Sequence, residues 1–170
     1  MSNMKKGAAG AACSVMVIIG LVLSNGEVKT SRAGLELIGN AEGCLRDPYK
    51  CPADVWTNGI GNTHGVKQGV RKTDQQIAAD WQKNILAAER CVTSYAAGDK
   101  LQQGAFDAAV SITFNVGCAG MQKSTMFRLF RQGDTEAACD QFPRWVYAGG
   151  VKLNGLEIRR DKERALCLAK

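Results

Sequence analysis

The stretch Glu42-Gly-Cys44-Leu-Arg-Asp-Pro-Tyr-Lys-Cys51-Pro-Ala-Asp-Val-Trp-Thr57 decides how this chain is read. Ahead of it, Leu35, Ile38 and Ala41 recur at helical spacing, and Gly43 follows Glu42 directly. Glu42 is therefore expected at the C-terminal end of a helix, with a Pro- and Cys-rich loop after it and then a strand-like run. Burial and the helix carbonyls at that end favour the protonated carboxyl, the form a general acid needs. Cys51 and Thr57 complete the spacing Glu-x8-Cys-x5-Thr. Taken singly, Glu42 also reads as a surface carboxylate and Cys51 as half of a structural bridge.

With 170 residues and 45% apolar content the chain can bury one sizeable core, which predicts one domain. A formal charge of +6 favours polyanionic partners: nucleic acid, anionic lipid or a bacterial wall with its peptide carboxylates. Lys and Arg are scattered and aromatic residues make up only 6%, so the basic, aromatic-interleaved patch of a nucleic-acid binder is missing. Seven cysteines indicate an oxidising compartment, and no Cys-x2-Cys with a nearby His suggests zinc. Neither a metal nor an organic cofactor is expected. Cys91, Cys118, Cys139 and Cys167 can form two structural bridges by three pairings, of which Cys91 with Cys118 and Cys139 with Cys167 is favoured. Cys13, Cys44 and Cys51 remain, a trio with one thiol too many.

Lys5 and Lys6 precede residues 7–26, a run without charge. At about 1.5 Å per residue the run just spans a hydrocarbon core of roughly 30 Å, with the N-terminus cytoplasmic. Its first half is nearly all Gly and Ala, so it should insert weakly. A cleaved signal peptide competes with this reading, because Ser24 and Gly26 are small residues at suitable spacing. A lipid anchor at Cys13 is disfavoured, since the apolar core follows that cysteine. A retained, weak anchor over residues 1–28, with a folded domain over 29–170, ranks first.

Further along, Ser31 is placed to cap the helix leading to Glu42. Residues 54–66, with Gly59, Gly61 and Gly65, read as a small twisted hairpin. Thr73 and Gln76 form a capping box opening a long helix that carries Ile77, Trp81, Ile85, Ala88 and Val92 on one face and ends at Gly98. That pattern makes Trp81 a core residue rather than a sugar platform. A second helix is expected over 101–115. Shorter ones follow, capped by Ser124 and by Asp134 and ending near Pro143. Trp145 and Tyr147 fall in a turn-rich stretch where they either line a cleft or cover the core. A C-terminal helix over 156–170 should dock through Leu166 and Leu168. His64, the one histidine, reads as a hairpin hydrogen-bonding residue.

The spacing at Glu42, Cys51 and Thr57, the segment Trp56-Thr57-Asn58-Gly59-Ile60-Gly61-Asn62-Thr63-His64-Gly65, and the blocks Phe114-Asn115-Val116-Gly117 and Gly155-Leu156-Glu157-Ile158-Arg159-Arg160 together resemble the phage-type lysozymes, glycoside hydrolase family 24. The resemblance runs from about Ser31 to the C-terminus. It departs at Cys51, where an Asp is usual, and at Asn62, where a His is common. It implies an α+β, mainly helical lysozyme-like fold, with a small β-hairpin lobe, a helical lobe and a cleft for an extended polysaccharide. The implied activity is N-acetylmuramidase, hydrolysing the β-1,4 bond of peptidoglycan with Glu42 as acid and Cys51 with Thr57 holding the attacking water. Because a free thiol near pKa 8.5 is mostly neutral at pH 7, Cys51 reads as a poorer base than Asp.

The N-terminal run resembles the signal-arrest-release segment of the cysteine-regulated endolysins. That implies a protein tethered in the host inner membrane with its catalytic domain in the periplasm, then released as a soluble monomer. The same resemblance implies that a Cys44 to Cys51 bridge blocks the site until Cys13 takes Cys44 and frees Cys51. A lytic transglycosylase and a non-catalytic wall-binding module remain alternatives.

Overall fold

A computed structural model describes residues 12–170. They group into two compact units: residues 12–27 with Gly39–Asn84, and Val28–Ile38 with Ile85–Lys170. Residues 1–11 of the expected anchor lie outside the described residues. The architecture is mainly helical with two small antiparallel sheets.

In the first unit, α1 (Val15–Asn25) is capped by the Ser14 hydroxyl and stops at Gly26, whose φ of 67° only glycine adopts readily. Its Ile18, Ile19 and Val22 are fully buried. No helix among the described residues is long and apolar enough to cross a membrane. Helix α2 (Arg32–Glu42) belongs to both units, and its last turn contributes Gly39 to the first. A Cβ on Gly39 would stand 2.5 Å from a Val15 methyl, so the missing side chain is what lets α1 approach.

The hairpin lies earlier than the glycines suggest. Strand β1 (Leu45–Lys50) pairs antiparallel with β2 (Trp56–Gly59), placing Tyr49 opposite Thr57 and Lys50 opposite Trp56. The expected loop after Glu42 is thus half strand. Pro48 is tolerated because the sheet has only two strands and the register shifts between Leu45 and Tyr49. The Gly-rich segment assigned to the hairpin supplies its second strand, β2, and then a tight antiparallel turn in which the Asn58 and Asn62 backbones exchange N–H···O bonds of 2.9 Å in both directions. Helix α3 (Asp74–Ala96) opens on the expected box, with Thr73 N–H donating to Gln76 Oε1 and Gln76 N–H to Thr73 Oγ1. Ile77 and Trp81 are buried, as their spacing requires.

The second unit contains the rest of α3, α4 (Gln103–Val116), the single-turn α5 (Cys118–Met121), α6 (Thr125–Arg131), α7 (Thr135–Cys139) and α8 (Asn154–Leu168). Ser124 and Asp134 cap α6 and α7 as read, but α7 ends at Cys139, short of Pro143. A second hairpin, β3 (Tyr147–Ala148) with β4 (Val151–Lys152), turns on Gly149 and Gly150 at positive φ. It leaves Tyr147 60% exposed. Cys91 bonds Cys118 and Cys139 bonds Cys167, the favoured pairing.

The docking face of α8 differs from expectation. Leu168 is exposed, and the buried side chains are Arg159, Arg160, Glu163 and Cys167. Glu163 is fully buried, accepts from the Ser111 hydroxyl at 2.6 Å and from Arg159 Nε at 3.1 Å, and pairs with Arg160. The one carboxylate is thus paired with two guanidinium groups and a hydroxyl, the condition under which a charge leaves water. A pair of carboxylates holds the chain ahead of α2. Glu89 accepts from Lys29 N, Thr30 N and Thr30 Oγ1 at 2.7–2.8 Å, and Asp107 accepts from Ser31 N at 3.0 Å.

Candidate active site

Glu42 is the last residue of α2, and Gly43, at φ 74°, turns the chain into β1 while its N–H still bonds the Gly39 carbonyl at 2.9 Å. The carboxylate faces the Gly-rich turn: a Cβ added to Gly61 would come within 3.0 Å of Glu42 Oε2. Gly61 also has φ of 63°, which favours glycine there, and an added Cβ would press on the Glu42 carboxylate.

Cys51 begins the loop that joins the two strands. Its N–H donates to the Val55 carbonyl at 3.0 Å, and its own carbonyl accepts from Asp54 N–H at 2.8 Å. The loop curls over the sulfur. Backbone N–H groups of Val55 and Ala53 hold the Cys51 thiol below its ordinary pKa, the Thr57 hydroxyl and the Cys51 N–H adding to them against the opposing effect of desolvation. The thiolate fraction at neutral pH is correspondingly larger than for a free cysteine.

Thr57 is 4% exposed on β2. Its hydroxyl donates to the Val55 carbonyl at 3.1 Å and also lies within reach of the Cys51 sulfur. One proton therefore has two acceptors, and the hydroxyl lone pairs stay available to a water. Tyr49, opposite Thr57, is the residue that sequence reasoning missed. Its phenol is pushed upward first by burial and then by the negative charges of Glu42 and Cys51. The same phenol thus senses both groups, which places Glu42, Tyr49, Cys51 and Thr57 in one neighbourhood of the first unit. The feature that marks Tyr49 is its pairing with Thr57 across the two strands, which the sequence does not display.

Cys44, after Gly43, is bonded to Cys13, with Cα atoms 5.2 Å apart, while Cys51 is a free thiol. Cys13 N–H donates to the Cys44 carbonyl at 3.1 Å, and Ala12 bridges Leu45, so the N-terminal segment extends the edge of β1. His64 is exposed, and its backbone rather than its ring bonds the Asn62 side chain. Among the described residues no group of three or more His, Cys, Asp or Glu side chains could hold a metal ion.

These features can be set against known proteins. The family model for phage lysozyme matches residues 39–163. A SAR-endolysin of Escherichia phage P1 is 54% identical over 94% of this chain and 92% of its own length. One from Haemophilus phage HP1 is 41% identical over 82% of this chain and 81% of its own. Among solved structures, the active form of the P1 phage endolysin Lyz superposes with a TM-score of 0.91 at 52% identity, covering 94% of this chain and 96% of that one. The secreted inactive form of the same endolysin superposes with a TM-score of 0.60, covering 82% and 96%. A Glu at a helix end, a free thiol and a Thr on the adjoining hairpin, and a family match that spans all three positions make one finding: the chain belongs to the phage lysozyme family.

Proposed function

We propose that the chain is an endolysin that lyses the host by hydrolysing the β-1,4 bond between N-acetylmuramic acid and N-acetylglucosamine in peptidoglycan. The observation that carries this reading is the convergence of Glu42, Cys51 and Thr57 in one unit. Glu42 protonates the departing glycosidic oxygen as its bond to the anomeric carbon breaks. A water held by the Thr57 hydroxyl attacks that carbon from the opposite face, and its proton passes to the Cys51 thiolate. Backbone N–H groups around the sulfur favour the thiolate form that takes up this proton. Proton exchange with solvent restores the Glu42 acid and the thiolate, and the anomeric configuration inverts.

The bridge between Cys13 and Cys44 supports a regulatory reading of the trio. Residues 1–28 tether the protein to the inner membrane at first, with Cys44 and Cys51 paired and the site closed. On release, the Cys13 thiolate attacks the sulfur of Cys44, forming the bridge seen here and expelling Cys51 as a thiolate. The likeness to the active form of the P1 endolysin, closer than to its inactive form, agrees with this.

Digestion of purified peptidoglycan in 18O-labelled water tests the chemistry. Muropeptides with an 18O-bearing, hydrated reducing end and an initially inverted anomer are expected. Anhydro ends without label would assign a lytic transglycosylase, and binding without solubilisation would leave a wall-binding module.

A further inference from the structure

We propose that Asn62, braced by Asn84, is a positioning residue of this site, locking the Asn58–Asn62 turn and thereby setting Thr57 against Cys51 and Gly61 against Glu42. The inference rests on the functional reading above for its catalytic consequence, but its geometric content stands by itself.

The Asn62 side chain is buried and uses both ends of its amide. Nδ2 donates to the His64 carbonyl at 3.0 Å and to Asn58 Oδ1 at 2.9 Å, while Oδ1 accepts from Asn84 Nδ2 at 3.0 Å and lies 3.4 Å from His64 N. The backbone partners fix which end is which, since a main-chain N–H can only donate and a C=O can only accept. With Asn62 oriented, the donor from Asn84 and the acceptor on Asn58 follow. The three amides form a chain without ionisable members, running from α3 to β2.

The chain ends where the chemistry lies. Asn58 follows Thr57 directly and is 1% exposed, and its Nδ2 is buried with no protein acceptor. Gly61 precedes Asn62 and is the residue whose α-carbon the Glu42 carboxylate faces. A shift of this turn therefore moves the water-holding hydroxyl and the surroundings of the acid together. Misplacement by about 1 Å at such a site costs on the order of 100-fold in rate. An Asn at this position keeps its hydrogen bonds across the whole pH range, because an amide does not titrate.

Two readouts on the purified full-length protein test the proposal. The first is the pH dependence of Cys51 alkylation by iodoacetamide, which reports the thiol's surroundings whether or not the wall is the substrate. The second is turnover of soluble peptidoglycan fragments. Asn62→Ala is expected to move the alkylation midpoint upward and to lower kcat by about 10-fold with KM within about two-fold of the parent. Asn84→Ala, which removes a single bond and keeps the backbone pairing, should shift the midpoint in the same direction by less, and guards against an unfolded Asn62→Ala. Thr30→Val, which loses a buried bond to Glu89 in the other unit, serves as a destabilised control and should leave both readouts unchanged. If the Asn variants lower Tm as Thr30→Val does and leave the alkylation midpoint at the parent value, Asn62 is structural only and the proposal fails. A shifted midpoint without any wall turnover in the parent would uphold the geometry and overturn the functional reading instead.

Discussion

Cys13 is bonded to Cys44, and the thiol left over by that pairing, Cys51, is the one ringed by backbone N–H groups and the Thr57 hydroxyl. The bridge that ties the N-terminal segment to the edge of β1 is thus also what leaves the sulfur available. The count is simple: three cysteines, one bridge, one thiol.

Breaking that arithmetic has a defined outcome. Cys13→Ser should give an exported protein in which Cys44 and Cys51 pair, inactive until a mild reductant is added. Cys44→Ser should be active without any exchange. Non-reducing peptide mapping of membrane and soluble fractions checks both, and a Cys44 to Cys51 bridge in fully active soluble protein would end the exchange account.

Thr57→Val keeps the shape of the side chain and removes its hydroxyl. Since that hydroxyl is among the groups holding the Cys51 thiol down, the thiol should titrate at higher pH in the variant. The sign follows directly: the thiolate is lost as pH falls through the thiol's pKa, so raising that pKa moves the acidic limb of the rate profile upward. Turnover at neutral pH should fall by roughly 10- to 100-fold as the water also loses its partner. Alkylation and rate profiles measured on one preparation check it, and an unmoved thiol would show that Thr57 does not serve the sulfur.

Glu163→Gln tests the buried charge cluster of the second unit. The amide still occupies the space but removes the carboxylate that pairs with both Arg159 and Arg160 in a site closed to water. A loss of about 3–5 kcal/mol in unfolding free energy is expected from urea titration. A loss below about 1 kcal/mol would mean that solvent or other groups carry those charges.

The sequence is most legible where local chemistry acts alone. Gly43 marks the end of α2 and so the place of Glu42, the Thr73 and Gln76 box marks the start of α3, and the helical spacing of Trp81 marks a core face. Strand β1 was hidden because Arg46, Asp47 and Pro48 break the alternation, and a two-stranded sheet with a register shift tolerates that break. On α8 the leucines drew the reading toward Leu168, whereas the buried face is charged; only the tertiary meeting of Ser111, Arg159, Arg160 and Glu163 makes it stable. The lowered thiol pKa of Cys51 was equally invisible, because its main donors are main-chain N–H groups that every residue has and that only the loop conformation aims at the sulfur.

The central claim is that Glu42 supplies the proton that breaks the wall, and Glu42→Gln measures it most directly. The amide keeps the size of the side chain at the end of α2 but has no proton to give the leaving oxygen. Release of reducing ends from purified peptidoglycan should fall at least about 100-fold in this variant, with unchanged Tm and wall binding. Hydrolysis near the parent rate in a folded Glu42→Gln protein would contradict the account.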